Sequence, residues 1–343
     1  MARKRDFFHT GLDVSRSECN LARMNNMIGL GFGEKRYLVS AKSAADLYYR
    51  SLIDNGVAER DIYTTIAAAH ADMSANQNDV LFGFPGQYVA ADVAWSKDMC
   101  HFISLGTHRS NWYGSGGDVI VHNTAITGVS ALNVTADFCK FSGLNIINSG
   151  ANAACVSAVK DAGHDNHYFG CLFLGHIRAE QAGAALAADF WVDTTVSAAG
   201  HGLILENCYV GSSGCYTRTS NNTQLLFGPT GIVAAGSNVT LRNTMFGTRT
   251  KTAGCSAIKF AADYTVDRLF LIDNCAFYNF YDENDITSTV TEAINDDCAT
   301  THKILVKGDS VITGYAAWES VRGTVYLSGP AANGGSGIAT VET

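Results

Sequence analysis

Leu205-Glu206-Asn207-Cys208-Tyr209-Val210, Leu241-Arg242-Asn243-Thr244-Met245-Phe246 and Ile272-Asp273-Asn274-Cys275-Ala276-Phe277 read as three copies of one short unit. Each reads as a turn marked by Asn with a strand after it. Phe141-Ser142-Gly143-Leu144-Asn145-Ile146 and Phe169-Gly170-Cys171-Leu172-Phe173 carry the same unit with Gly at the corner, and Val306-Lys307-Gly308-Asp309-Ser310-Val311 is a weaker copy. Aligned on the corner residue, the copies fall at 143, 170, 207, 243, 274 and 308, at intervals of 27, 37, 36, 31 and 34. One short element returning every thirty-odd residues marks a solenoid. Each coil brings the chain back to the same wall one strand spacing along the axis, about 4.8 Å. Uneven intervals are turns of different length.

The alignment also assigns faces. Cys171, Cys208, Thr244 and Cys275 share one position, and Leu172, Tyr209, Met245 and Ala276 share the next. Neighbouring strand residues point to opposite sides, so one column faces in and the other out. The small Cys/Thr column suits an inward stack, and Phe173, Val210, Phe246 and Phe277, two residues on, share its face. Asn207, Asn243 and Asn274 sit at a bend, where Asn tolerates left-handed backbone and bonds its own chain. An Asn ladder linking coil to coil is expected. A second ladder is expected over Val156–Val159, Ile232-Val233 and Ile258–Phe260.

Composition agrees. The 343 residues are 47% apolar and 16% charged, with 34 Gly and 3 Pro. Disorder needs low hydrophobicity and high charge, and collagen needs Gly at every third position; neither applies. No apolar run of about 18 residues exists to span a membrane as a helix. The net charge of −8 argues against nucleic acid as a partner. Ten cysteines without a CxxC pair argue against a zinc ribbon. The basic N-terminus, Met1 to Phe8, lacks the apolar stretch of a secretory signal. Reduced, buried thiols and an unmodified Asn133-Val134-Thr135 and Asn238-Val239-Thr240 follow as expectations.

Four segments result. Residues 1–39 are read as an N-terminal arm, 40–78 as a helical cap, 79–328 as the solenoid and 329–343 as a Gly-rich C-terminal tail. In the cap, Ser40 or Ser43 starts a first helix that stops at Asn55-Gly56, and Asp61 caps a second running through Ile66, Ala69 and Met73. Beyond residue 79 only Gln181–Ala188 has a helical pattern.

Thr65-Ile66-Ala67-Ala68-Ala69-His70, Asn78-Asp79-Val80-Leu81 and Pro85-Gly86-Gln87-Tyr88 resemble the opening of right-handed parallel β-helix proteins of the pectate-lyase-like family, across roughly residues 60–328. The resemblance implies an all-β, right-handed parallel β-helix solenoid, with a short helical cap over the barrel end and an extended N-terminal arm. It says little about function, because the fold serves lyases, hydrolases, esterases, phage tailspikes and inert virion proteins.

Three acid–base sets deserve naming. Asp161-Ala162-Gly163-His164-Asp165-Asn166-His167 gathers two acids and two His in seven residues. Gly200-His201-Gly202 is similar to a piece of the polygalacturonase-like pattern, whose acids have a counterpart only in Asn295-Asp296-Asp297, after the His instead of before it. An eliminase would need Arg178, Arg218, Arg242, Arg249 or Arg268 aligned with acids at coil spacing, and no such alignment is evident. Trp95, Trp191 and Trp318 read as packing residues, and Trp112-Tyr113 as the aromatic pair suited to exposure. Asp282-Glu283-Asn284-Asp285 reads as a solvated acidic turn.

The expectation is a non-enzymatic structural protein of a tailed-phage virion, a head decoration or spike-like appendage. Arg3, Lys4, Arg5, Phe7 and Phe8 would dock it onto other virion proteins. No cofactor, metal, membrane or nucleic acid is expected, and a homo-oligomer is, a trimer being common among phage proteins of this resemblance. The alternative is a tailspike-type polysaccharide lyase or hydrolase using Asp161, His164, Asp165 and His201. It gains support if those acids face His201 across adjacent coils.

Overall fold

The computed structural model describes residues 33–106, 118–125, 128–175, 177–184, 187–211, 218–219, 222–228, 235–261, 264–266, 268–280, 290–296, 303–319, 325–327 and 340–341. Arg3, Lys4, Arg5, Phe7, Phe8, Trp112-Tyr113, Ile232-Val233, the turn 282–285, Asp297 and residues 329–337 lie outside them.

Three parallel walls wind into a right-handed β-helix. The long wall has twelve strands, running from Ile62–Tyr63 and Lys35–Leu38 through Val80–Gly83, His101–Ser104, Lys140–Ser142, His167–Phe169, Ile204–Glu206, Val239–Arg242, Phe270–Asp273 and Ile304–Lys307 to Val325–Leu327. Thr340–Val341 closes it as an antiparallel strand. The second wall has eight strands, among them Leu172–Leu174, Tyr209–Gly211, Met245–Thr248 and Ala276–Asn279. The third has seven, among them Ser130–Val134, Ser157–Asp161, Ala188–Asp193, Thr223–Gly228 and Ser256–Phe260.

The register matches the sequence alignment. Tyr209 pairs with Leu172 and with Met245, and Met245 with Ala276. Phe173, Val210, Phe246 and Phe277 form an inward column that is completely buried, with Phe246 stacked on Phe277 at 4.6 Å and 3°. Cys171, Cys208, Thr244 and Cys275 stack inside beside them, also buried. All six corner residues, Gly143, Gly170, Asn207, Asn243, Asn274 and Gly308, have φ between 49° and 71°. The side chain of Asn274 donates to Asn243 Oδ1 at 2.9 Å, a rung of the expected ladder.

A second left-handed corner, between the third wall and the long wall, escaped the alignment. It comprises Met99, Phe138, Asp165, Gly202 and Asn238, with φ of 55°, 58°, 53°, 64° and 59°. Cys100 and Cys139 follow it as two more buried thiols, and burial pushes Cys100 up to about 12. A thiol held neutral is a packing residue, not a nucleophile.

Several boundaries differ from expectation. Lys35–Leu38 lies within the segment read as an arm, yet it is a strand of the long wall paired with Val80–Gly83. Helix α1 spans Leu47–Asp54 and is capped by Asp46, which accepts from the Tyr48 and Tyr49 amides, not by Ser40 or Ser43. Helix α2 spans Ile66–Asp72 and is capped by Thr65; Asp61 lies in a preceding turn and Ile62–Tyr63 is a strand. Ile66, Ala69 and Met73 join the main core beside Leu38 and Trp95, so α2 covers the barrel's end. Helix α3 is only Ala179–Ala182. The middle rung of the second expected ladder is Thr223–Gly228, between Ala188–Asp193 and Ser256–Phe260.

Candidate functional site

The turns joining the third wall to the long wall stack polar groups from successive coils. The Asp137 amide donates to Asp98 Oδ1 at 3.0 Å, and the His164 amide to Asp137 Oδ1 at 2.9 Å. The Asp165 amide donates to the His201 carbonyl at 2.6 Å, and the Gly202 amide to the Ser237 carbonyl at 2.7 Å. Asp98, Asp137, His164 with Asp165, His201 and Ser237 therefore climb one corner, each one coil above the last.

His164 is the centre. Its Nε2 lies 2.9 Å from Asp137 Oδ2 and its Nδ1 lies 2.9 Å from Asp165 Oδ2. Both contacts are hydrogen bonds only when both ring nitrogens carry protons. The three side chains are 28–39% exposed, so solvent and ligands reach them. Phe138, half exposed, sets its ring edge-on to the imidazole at 5.0 Å. One coil on, Ser237 Oγ lies 2.5 Å from His201 Nδ1 and orients that ring. Gly202 is required here: a Cβ on it would lie 2.0 Å from Asp165 Oδ1, at a φ of +64°. The Gly-His-Gly triplet thus leaves room for the carboxylate of the coil below.

The four residues singled out from sequence divide. His164, Asp165 and His201 share the corner, with Asp165 and His201 joined across adjacent coils. Asp161 does not join them; it points into the core. There it accepts from the Tyr168 hydroxyl at 2.8 Å, the Gly163 amide at 2.9 Å and the Asn166 side-chain amide at 3.1 Å. Burial pushes its carboxyl up to about 7 against these hydrogen bonds, which favour the charged form. Its role is to brace the turn. Asp137 was missed because it lies 27 residues before His164, and only the coil register makes them neighbours.

The outer face of the third wall leads up to this corner. Asn133, Lys160, Trp191, Leu226, Lys259 and Asn295 occupy one outward column. Lys160 Nζ lies 2.7 Å from Asp193 Oδ2 and 4.8 Å from the Trp191 ring centre. Trp95 and Trp318 are buried as expected, but Trp191 is partly exposed on this face. Of the arginines, Arg218 pairs with Asp189 inside the protein. Arg242 does align with acids at coil spacing, between Glu206 and Asp273, contrary to expectation. Among the described residues no group of three or more His, Cys, Asp or Glu is placed to hold a metal ion, and no helix is long and apolar enough to cross a membrane.

No protein-family model matches the chain, and no curated protein matches it in sequence. Solved structures share its fold. Pectin methylesterase PemA from Erwinia chrysanthemi aligns with 85% of this chain and 94% of its own, at 10% identity and a TM-score of 0.43. The ORF18 protein of Geobacillus virus E2 aligns over 77% and 56%, at 12% identity and 0.39. The Dettilon tailspike protein aligns over 71% and 44%, at 13% identity and 0.34. Pectin methylesterase from Aspergillus niger and an alginate lyase from a Paenibacillus species are also similar. Several of these proteins are named as enzymes, so the expectation of a chain without catalytic activity finds no support in the comparisons. The chain is a right-handed parallel β-helix, similar in fold to the pectin methylesterases and the phage tailspike.

Proposed function

We propose that the protein is a polysaccharide-cleaving enzyme of the tailspike type, a lyase or hydrolase, with Asp137, His164 and Asp165 as its acid–base set. The observation that carries this reading is His164 held between two carboxylates at 2.9 Å each, on an exposed corner where His201 stands one coil away. Acids scattered over unrelated turns would have spoken against chemistry; these converge. Glycosidic cleavage needs one group that gives a proton to the leaving oxygen and one that takes a proton, from water or from the sugar ring. A doubly protonated imidazole between two carboxylates can hand one proton to the leaving oxygen, which leaves the cluster one charge more negative, and the cluster regains that proton from the attacking water or the sugar ring. His201, oriented by Ser237, is the positioning partner on the neighbouring coil.

The outer column of the third wall supplies a surface for the glycan. Lys160, paired to Asp193 and set over the Trp191 ring, forms with it a partly exposed Lys–Trp pair that offers N–H donors and the uncovered part of an indole to a sugar. A sugar ring packs its C–H face on such an indole, as cations do on its π-cloud. Leu226 in the same column is buried, so the partly exposed stretch that a glycan would follow runs over Asn133, Lys160 and Trp191, about 4.8 Å apart. We further read the protein as carried on a phage particle and tethered by Arg3, Lys4, Arg5, Phe7 and Phe8, in line with the sequence resemblance to phage β-helix proteins. Mass spectrometry of purified particles tests that part, and its absence from them would remove it.

The catalytic reading is tested by incubating the protein with a panel of acidic and neutral bacterial polysaccharides. New reducing ends without unsaturated products identify a hydrolase, and unsaturated uronate ends a lyase. Cleavage of at least one polymer is expected. No cleavage across the panel contradicts the reading.

A further inference from the structure

The long wall carries a pattern on its outer face that the proposed chemistry does not use. Glu206, Arg242, Asp273 and Lys307 are in register on four successive strands, so their side chains form one outward column of alternating sign. Beside it runs a second outward column, Ile204, Thr240, Leu271 and Leu305, each partly exposed. On a solvated wall the second column would be expected to be polar throughout. Three of its four residues are aliphatic.

Glu206 is paired to His167 of the preceding coil at 3.2 Å, while Arg242 is only loosely satisfied within the chain. Arg242 Nη1 lies 3.9 Å from Glu206 Oε1 and its Nε 3.5 Å from Asp273 Oδ2. Both are longer than the roughly 2.7–2.9 Å of a charge-assisted hydrogen bond. The Arg242 side chain is 44% exposed, and Lys307 is exposed. A guanidinium has five donors in a fixed fork, so Arg242 retains capacity for a further carboxylate.

We propose that this face binds a second copy of the same chain, antiparallel, about a two-fold axis between the Arg242 and Asp273 levels. The order minus, plus, minus, plus is its own complement when reversed. Under that axis Arg242 meets the second copy's Asp273, and Glu206 meets the second copy's Lys307. Each contact occurs twice, as a two-fold interface demands. In the apolar column the same operation sets Ile204 against the second copy's Leu305, and Thr240 against the second copy's Leu271. A parallel two-fold pair about an axis along the solenoid puts every level of this column beside its own copy, so like charge faces like charge. Like-charge contacts at an interface cost several kcal/mol. The charge order thus selects the antiparallel over the parallel pairing of this face, and a self-complementary column fits a two-fold dimer, where the resemblance implied a trimer.

The full-length protein tests this by sedimentation velocity across a concentration series. Wild type is expected at twice the chain mass. Arg242→Glu and Asp273→Arg should each weaken self-association by about a hundredfold or more, since each homodimer then sets like charges together twice. An equimolar mixture of the two variants should regain the dimer. There Glu at 242 of one chain meets Arg at 273 of the other, and the remaining Asp273 meets the remaining Arg242. Thermal melts matching wild type show that the variants fold. If either does not, Arg242→Gln and Lys307→Gln replace them, with a smaller weakening of the dimer expected. A wild-type monomer or trimer overturns the proposal, as does a dimer indifferent to these substitutions or a mixture that stays monomeric.

Discussion

Asn274 has a φ of 57° and hands its side-chain amide to Asn243 on the coil before, so one residue both turns the chain and links two coils. Left-handed backbone costs an ordinary L-residue roughly 1–2 kcal/mol, less for Asn and nothing for Gly. Asn274→Ala should therefore lower stability by about 1–2 kcal/mol in a denaturant titration. Asn274→Gly should lose less, because only the ladder bond goes. Asp161 supports a pH prediction. Its carboxyl titrates near 7 in the folded chain against 3.8 for the free group. Between those values the folded state holds a proton that the unfolded state has released, so this group's effect is that stability falls as pH rises from about 4 to 7. His70 and His101 act oppositely: burial lowers them to about 4 and about 3, so they favour folding more as pH rises towards 6.5. The observable is thus the difference between wild type and Asp161→Asn. Melting curves from pH 4 to 7 should show the variant gaining on wild type as pH rises; a constant difference would remove the buried-carboxylate account.

At the scale of strands and turns, the corner between the long and second walls was legible because its units are short, alike and marked by Asn or Gly. Side-chain alternation then fixed which column faces inward. Phe246→Ala should cost about 3–5 kcal/mol, since it empties one layer of a stack closed above by Phe277. The opposite corner was illegible because Met99, Phe138, Asp165, Gly202 and Asn238 share a backbone conformation and no residue type. That hid Asp137 from His164: a cluster built across coils has no local spacing to read. The cap was recognised as helical but its ends were misplaced, because Asp46 and Thr65 compete with several nearby Ser, Thr and Asp residues for the same role. Thr65→Ala should cost about 1 kcal/mol through loss of the Thr65 Oγ1 bond to the Ala68 amide, measurable in the same titration.

The whole molecule is a stack of parallel coils in which each wall presents a different outer face. The third wall and the corner beside it gather Lys160, Trp191, Asp137, His164 and Asp165, while the long wall presents the alternating charges of Glu206 to Lys307. A solenoid separates such faces naturally, because each outward column is a line of side chains independent of the next. The sequence resemblance reached the fold but not the chemistry, since the acid–base set depends on which turns happen to stack. The central claim is that cleavage runs through the corner centred on His164. It is tested most directly by kcat/KM on a cleaved polysaccharide for wild type, His164→Ala and Asp165→Asn, with melting temperatures measured alongside. The account predicts losses of about 10²–10⁴-fold in both variants, with folding intact. Wild-type rates in His164→Ala would contradict it.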